Sequence, residues 1–467
     1  MHVAIWLLFF GLGLAIWQRP YLASGLNVAG MLLLVLVSNA KFASLREPFL
    51  LSDFRFFIAL LRHPRLYLPF FGILPAIGCA LVFILFCGFA LWMEPSLVSK
   101  IGLAAFMCGC LVVTGFGLAI LWFAMRNPMP ITLAPARDVQ TFGFLGSFIR
   151  YWQEERAHDP GAMIANLRGT LQGRANNANL RGLPHIVAVQ CESFFDARRV
   201  FPGVNPDLLK NFDALTRISS RAGRLNVPAW GANTVRTEFS FLTGIPPASL
   251  GIHQFNPYRK FARVGVPTIA SELKAQGYRT LCIHPFPATF YDRDKVFPAL
   301  GFDEFIDVSA FETDDKCGPY TGDLAVAAKV RAMLSAAIEP LFIFVITMEN
   351  HGPLHQEDVM EGDIERLYTS VPPARYQDFT IYLRHLQHTD LMLGQLYESL
   401  NATSRGGWLC AYGDHVPILS DVYAASGFVD GRTDYLVVGP IGTTGTPQCL
   451  DIEPEKLAAY LLREVGL

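Results

Sequence analysis

The sequence predicts an α-helical transmembrane N-terminal region joined to an α/β sandwich with a mostly parallel sheet. Three observations carry that prediction. Hydrophobic residues make up 52% of the 467 positions and mean hydropathy is +0.32, too apolar for an ordinary soluble protein. Nearly uncharged apolar runs crowd the first 125 residues. Beyond about residue 160, short apolar runs bounded by turn residues alternate with longer helical patterns, which is how strand–helix–strand architecture reads in one dimension.

Taken in order, residues 3–17 and 21–38 are apolar runs separated by Gln18-Arg19-Pro20, each close to the roughly 20 residues a bilayer helix needs. They read as a tight transmembrane hairpin. A signal peptide is the competing reading of the first run, but no basic segment precedes it and a second span follows at once. Residues 41–66 change character: Lys41, Arg46, Glu47, Asp53, Arg55, Arg62 and Arg65 are interspersed with Phe42, Leu45, Phe49, Leu50, Phe54, Phe57, Leu60 and Leu61. That spacing predicts an amphipathic helix in the membrane interface, with a polar loop carrying a short helix as the plainer alternative. Two more spans at about 68–93 and 101–125 complete a membrane domain 1–125 of about four transmembrane helices. A linker at 126–160, with one helix at 140–156, leads to a globular domain at 161–467.

In that domain strands are expected at 185–190, 280–284, 341–347, 409–412 and 435–438. Helices are expected at 206–220, 268–276, 323–338, 375–400 and 453–463. A parallel sheet gathers its sites at the C-terminal ends of the strands. Glu192, His284 and the Asp414-His415 pair all fall at or just past such ends.

A net charge of −2, with no Lys/Arg run dense enough to track phosphates, argues against nucleic acid as a partner. The nine cysteines are scattered, and no C-x-x-C pair stands with a second pair or with histidine partners, so neither a zinc knuckle nor a disulfide framework is indicated. The stretch from Trp230 to Phe239 reads as a small-residue turn opening an amphipathic helix. Thr234 in it is either a helix cap or a nucleophile, since a hydroxyl there can serve the orphan N–H groups and those groups also favour an anion. Gln190-Cys191-Glu192-Ser193 and Gly413-Asp414-His415, each directly after an apolar run, favour chemistry. A Glu, an Asp and a His at strand ends beside a Thr at a helix start make an oxygen-rich metal site with a hydroxyl to activate.

Together, Cys191-Glu192-Ser193, Gly231-Ala232-Asn233-Thr234, His284 with Tyr291-Asp292-Arg293, Glu349-Asn350-His351-Gly352-Pro353 and Tyr412-Gly413-Asp414-His415 resemble the alkaline phosphatase/sulfatase superfamily. More narrowly they resemble its lipoteichoic acid synthase and phosphoglycerol transferase branch, over about residues 180–440 and in matching order. The resemblance implies one divalent metal ion, Mn²⁺ first and Mg²⁺ or Zn²⁺ as alternatives, held by Glu192, Asp414, His415 and the nucleophile Thr234. It implies Arg293 as a phosphate clamp, whose plainer reading is a surface ion pair with Asp292 or Asp294. His284 and His351 take the places of active-site histidines, and Tyr291 that of an aromatic beside the glycerol. The chain departs from the synthases at Phe286, where they carry an acidic residue.

The activity implied by the resemblance is a transferase that moves phosphoglycerol from phosphatidylglycerol, through a phospho-threonine, to a cell-envelope glycan or glycolipid. A phosphoethanolamine transferase and a catalytically silent envelope scaffold are the alternatives. The resemblance sets the protein in the bacterial cytoplasmic membrane as a multi-pass chain with its catalytic domain extracytoplasmic. Lys41, Arg46, Arg55, Arg62 and Arg65 against Arg19 and Lys100 would favour the reverse orientation by charge alone.

Overall fold

The computed structural model describes residues 1–55, 73–126, 129–167, 182–261, 264–443 and 448–467, which fall into two units, Met1–His158 and Asp159–Leu467.

In the first unit, Pro20–Leu45, the stretch Ile77–Ile101 and Leu103–Met125 are long and apolar enough to cross a bilayer. The apolar helix His2–Trp17 has 16 residues and so measures about 24 Å, short of the roughly 30 Å hydrocarbon core. It packs on Leu103–Met125, where a Cβ at Gly11 would lie 2.6 Å from Thr114 Oγ1. Pro20 starts its helix where a missing N–H costs nothing, and the Glu94 carboxylate accepts from the N–H groups of Tyr21 and Leu22 at 2.9 Å.

The helix expected over 41–66 is not continuous in its described part. Residues 41–45 close Pro20–Leu45, Arg46 ends that helix in a left-handed conformation (φ 52°), and Leu51–Arg55 is a short 3-10 turn. Lys41 bonds Glu47 and Asp53 at 2.7 and 2.5 Å, so charges that read as a stripe facing headgroups fold the chain back on itself. Residues 56–66, and 68–72 of the third expected span, lie outside the described residues. The linker helix expected at 140–156 is two helices, Pro135–Phe142 and Phe144–Ala157, parted by Gly143 at φ 70°, a backbone conformation glycine adopts without penalty.

The second unit is built on an eight-stranded sheet. Its strands are β1 (His185–Cys191), β2 (Arg221–Leu225), β3 (Arg279–Ile283), β4 (Glu304–Ile306), β7 (Leu341–Ile346), β8 (Gly407–Gly413), β9 (Thr433–Val438) and β10 (Gln448–Cys449), in the order β10-β2-β9-β8-β1-β7-β3-β4. Only β9 runs against its neighbours. A separate hairpin pairs β5 (Lys316–Cys317) with β6 (Tyr320–Thr321). The central strand β1 is buried throughout, Val187, Val189 and Cys191 facing one core and Ile186 and Ala188 the other. That is why it reads as a continuous apolar run. Gln377–Ala402 packs with Asp323–Ala336 on the first face, and Thr234–Thr243 with Pro454–Val465 on the second.

Candidate active site

Because β1 lies between β8 and β7, the residues leaving these three strands meet at one edge of the sheet. Glu192 follows β1, and Ser193 turns the chain sharply at φ 53°. This lets Ser193 N donate to Asp414 Oδ1 (2.8 Å) and Ser193 Oγ donate to Glu192 Oε1 (2.8 Å). A Cβ on Gly413 would fall 1.8 Å from the Phe194 carbonyl, so only glycine lets β8 end this close to that turn. From the β7 side, Thr347 Oγ1 accepts the Glu192 N–H, and Asn350 Nδ2 donates to the Glu192 carbonyl, both at 2.9 Å.

Glu192, Asp414 and His415 each offer a ligand atom within 4.8 Å of the others, and all three are buried. His415 Nδ1 donates to the Val416 carbonyl at 3.1 Å, which leaves Nε2 with its lone pair in the neutral ring. That nitrogen faces Asp414 Oδ2 at 3.3 Å, Thr234 Oγ1 at 3.5 Å and Glu192 Oε1 at 3.6 Å. Asp414 Oδ1 is committed to two backbone N–H groups, while Oδ2 is buried without a hydrogen-bond partner. Burial first, and the Asp414 charge second, push the Glu192 carboxyl well above the ordinary carboxylate range. Lone pairs aimed at one another around an orphaned carboxylate oxygen fit a divalent cation, and the donor set fits a hard or borderline one.

Thr234 is the first residue of Thr234–Thr243, not its cap. Asn233 holds the cap position in a left-handed conformation (φ 70°), and Thr234 Oγ1 turns to His415. The helix is not amphipathic either, for Val235 through Thr243 are all buried. Thr237 donates from Oγ1 to the Asp414 carbonyl at 2.8 Å.

Arg293 is 1% exposed and makes no surface pair with Asp292 or Asp294. Its Nη2 and Nε donate to Glu238 (2.8 and 3.4 Å) and its Nη1 donates to His284 Nε2 (3.2 Å). His284 in turn donates from Nδ1 to the Ile346 carbonyl (3.1 Å), and burial together with Arg293 holds its pKa well below the usual histidine value. Glu238 was not singled out by the sequence, although it lies four residues after Thr234 and so one helical turn on. It is fully buried and also bonds Tyr258 and Gln190. His351 is bonded through Nδ1 to the Gly352 carbonyl and the Tyr320 hydroxyl, and burial lowers its pKa. The Arg293 guanidinium lies 5.3 Å from the Tyr291 ring. Phe286, at the departure from the synthase pattern, sits among rings, 5.2 Å from Phe290 and 6.4 Å from Tyr320 between centroids.

Residues 184–443 match the sulfatase family model, and the chain belongs to that family, in the alkaline phosphatase–sulfatase superfamily. Its similarity extends over 99% of its length, at 28% identity, to the capsular polysaccharide biosynthesis protein RkpI of Rhizobium meliloti, of which it spans 86%. It is 28% identical over 54% of its length to a putative cyclic β-1,2-glucan modification protein from the same organism, and spans 39% of that relative. Lipoteichoic acid synthase 2 of Bacillus subtilis is 25% identical over 36% of this chain and 26% of its own length, which bears out the narrower resemblance.

Proposed function

We propose that this chain is a membrane-anchored, metal-dependent phosphotransferase that moves the phosphoglycerol head group of phosphatidylglycerol through Thr234 to a cell-envelope glycan or glycolipid. The observation that carries this reading is the convergence of Thr234 Oγ1, His415 Nε2, Glu192 and the unpartnered Asp414 Oδ2. Glu192, Asp414, His415 and Thr234 would hold the cation, Mn²⁺ first and Mg²⁺ or Zn²⁺ as alternatives. When bound it supplies Lewis-acid charge beside the threonine oxygen, which lowers the pKa of that hydroxyl.

The Thr234 hydroxyl loses its proton and its oxygen attacks phosphorus, breaking the phosphorus–oxygen bond to diacylglycerol, whose oxygen takes a proton as it leaves. An acceptor hydroxyl then attacks the phospho-threonine, and Thr234 is regenerated. Arg293 directs three of its five N–H groups at Glu238 and His284, so its fork is pre-set and two donors remain for phosphoryl oxygens. His284, neutral and accepting from Arg293, acts as an orienting group. His351 keeps Nε2 for the substrate. The rings of Phe286, Phe290, Tyr291 and Tyr320 form one connected cluster, which would offer a sugar an apolar face, and two relatives named for polysaccharide or glucan work support a glycan acceptor.

The catalytic unit is read as extracytoplasmic and the anchor as multi-pass, with a phospholipid donor from the outer leaflet. An alkaline phosphatase reporter fused after Leu467 should be active and a cytoplasm-only fluorescent reporter dark. The opposite pair of results would contradict that orientation. For the chemistry, detergent-solubilised full chain with labelled phosphatidylglycerol should release diacylglycerol only when divalent metal is present. Release from phosphatidylethanolamine in preference to phosphatidylglycerol would replace the head group assigned here.

A further inference from the structure

A second convergence of metal donors lies apart from Thr234. Cys317, Glu349, His385 and His388 each offer a ligand atom within 4.8 Å of the others. They come from three places: Cys317 from the hairpin strand β5, Glu349 from the loop after β7, and the two histidines from one face of Gln377–Ala402, three residues apart. We propose that this cluster is a zinc-type cation site, ligated by one thiolate, one carboxylate and two imidazoles, which ties the hairpin and the β7 loop to the long helix.

The sulfur–nitrogen distances suit a tetrahedral ion. Sγ lies 3.7 and 3.6 Å from the two Nδ1 atoms, close to the roughly 3.5 Å that sulfur and nitrogen keep across a tetrahedral zinc at ordinary bond lengths. Glu349 Oε1 is 2.8 and 2.6 Å from the same nitrogens, hydrogen-bond distances that would have to open to roughly 3.3 Å around a zinc ion. His385 directs its other nitrogen, Nε2, at the Glu357 carboxylate (3.0 and 3.1 Å), so the neutral ring has its proton there and its Nδ1 lone pair toward the cluster. A carboxylate behind a ligating imidazole is the usual support for such a site. Arg384 holds that carboxylate in turn at 2.9 Å, and Gly318 turns the hairpin beside it at φ 64°, a conformation that favours glycine. Glu349 Oε2 is fixed by the Asp323 N–H at 2.6 Å. The His388 side chain is 27% exposed, which gives an ion a route in. A thiolate and two imidazoles favour zinc over manganese or magnesium.

Thiolate ligation has a signature that carboxylate sites lack. Full-length protein in detergent, stripped with chelator and titrated with Co²⁺, should develop the near-ultraviolet thiolate-to-cobalt charge-transfer absorption. That absorption should persist in a Glu192→Gln/Asp414→Asn double variant, which keeps this readout separate from the Thr234 site, and should vanish in Cys317→Ser. By elemental analysis, Cys317→Ser purified from zinc-supplemented cells should carry about one zinc per chain fewer than wild type. No charge-transfer absorption in the wild-type chain would mean a metal-free cluster of imidazoles hydrogen-bonded to Glu349, and would overturn the proposal whatever the variants do. Absorption that survives in a folded Cys317→Ser would assign it to another of the cysteines, with the same consequence.

Discussion

The Thr234 cluster takes its metal-type donors from the ends of adjacent parallel strands, β1 and β8, whereas Cys317, Glu349, His385 and His388 come from a two-residue strand, a loop and a helix. The first set is oxygen-rich and includes a hydroxyl able to react. The second has a thiol and two imidazoles around one carboxylate and no alcohol among its donors. Fully buried strands hold the first set, and backbone N–H groups fix Asp414 Oδ1 before any ion arrives. The second set joins a two-residue strand and a loop to the long helix Gln377–Ala402, as a structural cation would. Placement separates the proposed roles: the Thr234 hydroxyl, at a helix start, meets donors delivered by buried strand ends, while the second cluster would tie a hairpin and a loop to a helix.

That contrast breaks most readily at the nucleophile. Thr234→Ala should lower turnover by roughly 10⁴-fold or more while leaving the three other ligands in place, as steady-state diacylglycerol release would report. Turnover near the wild-type rate would remove Thr234 from the mechanism. Next in size is the buried pair behind the site. Arg293→Ala removes the cation paired with the fully buried Glu238, leaving it Tyr258 and Gln190, and should cost about 3–5 kcal/mol of stability in denaturant melts as well as activity. An unchanged melting midpoint would mean that Tyr258 and Gln190 suffice to hold the Glu238 carboxylate.

Asp414→Asn and Glu192→Gln should each weaken metal binding at the Thr234 site by about 100-fold by calorimetry while sparing the thiolate cluster. Equal losses at both clusters would show that they are not independent. Thr237→Val, which removes only a hydroxyl from the Asp414 carbonyl, should cost about 0.5–1.5 kcal/mol and little turnover. The smallest effect concerns acid. His284 has its pKa depressed by burial and by Arg293, so below about pH 6.5 the unfolded chain binds a proton that the folded chain refuses. Its contribution is therefore to lose stability as pH falls from that value. His284→Gln should flatten the slope there, and an unaltered slope would assign it to other groups.

Much of the sheet was legible because β1, β3, β7, β8 and β9 are apolar runs buried on both faces. β2, Arg221-Ala222-Gly223-Arg224-Leu225, was not, since an alternation with two arginines and a glycine gives no strand signal. Glu192, Asp414 and His415 were legible for the same reason as their strands: each stands directly after an apolar run, where a parallel sheet delivers side chains to one edge. Glu238 was hidden within a helix whose pattern suggested a solvent face that the fold does not leave. The second cluster was hidden by distance. Cys317 and His385 are 68 positions apart, and an H-x-x-H pair inside a helical pattern reads as surface until a hairpin is laid over it. In the N-terminal region the alternation of cations with aromatics over 41–66 suggested a helix, but Lys41 satisfies its charge locally with Glu47 and Asp53.

The central claim is that Thr234 carries the transferred group. Full-length protein incubated with phosphatidylglycerol and Mn²⁺, without acceptor, and analysed by intact and peptide mass spectrometry should gain one phosphoglycerol less water, located on Thr234 and absent from Thr234→Ala. An adduct on any other residue, or free phosphoglycerol released at full rate by Thr234→Ala, would contradict the account.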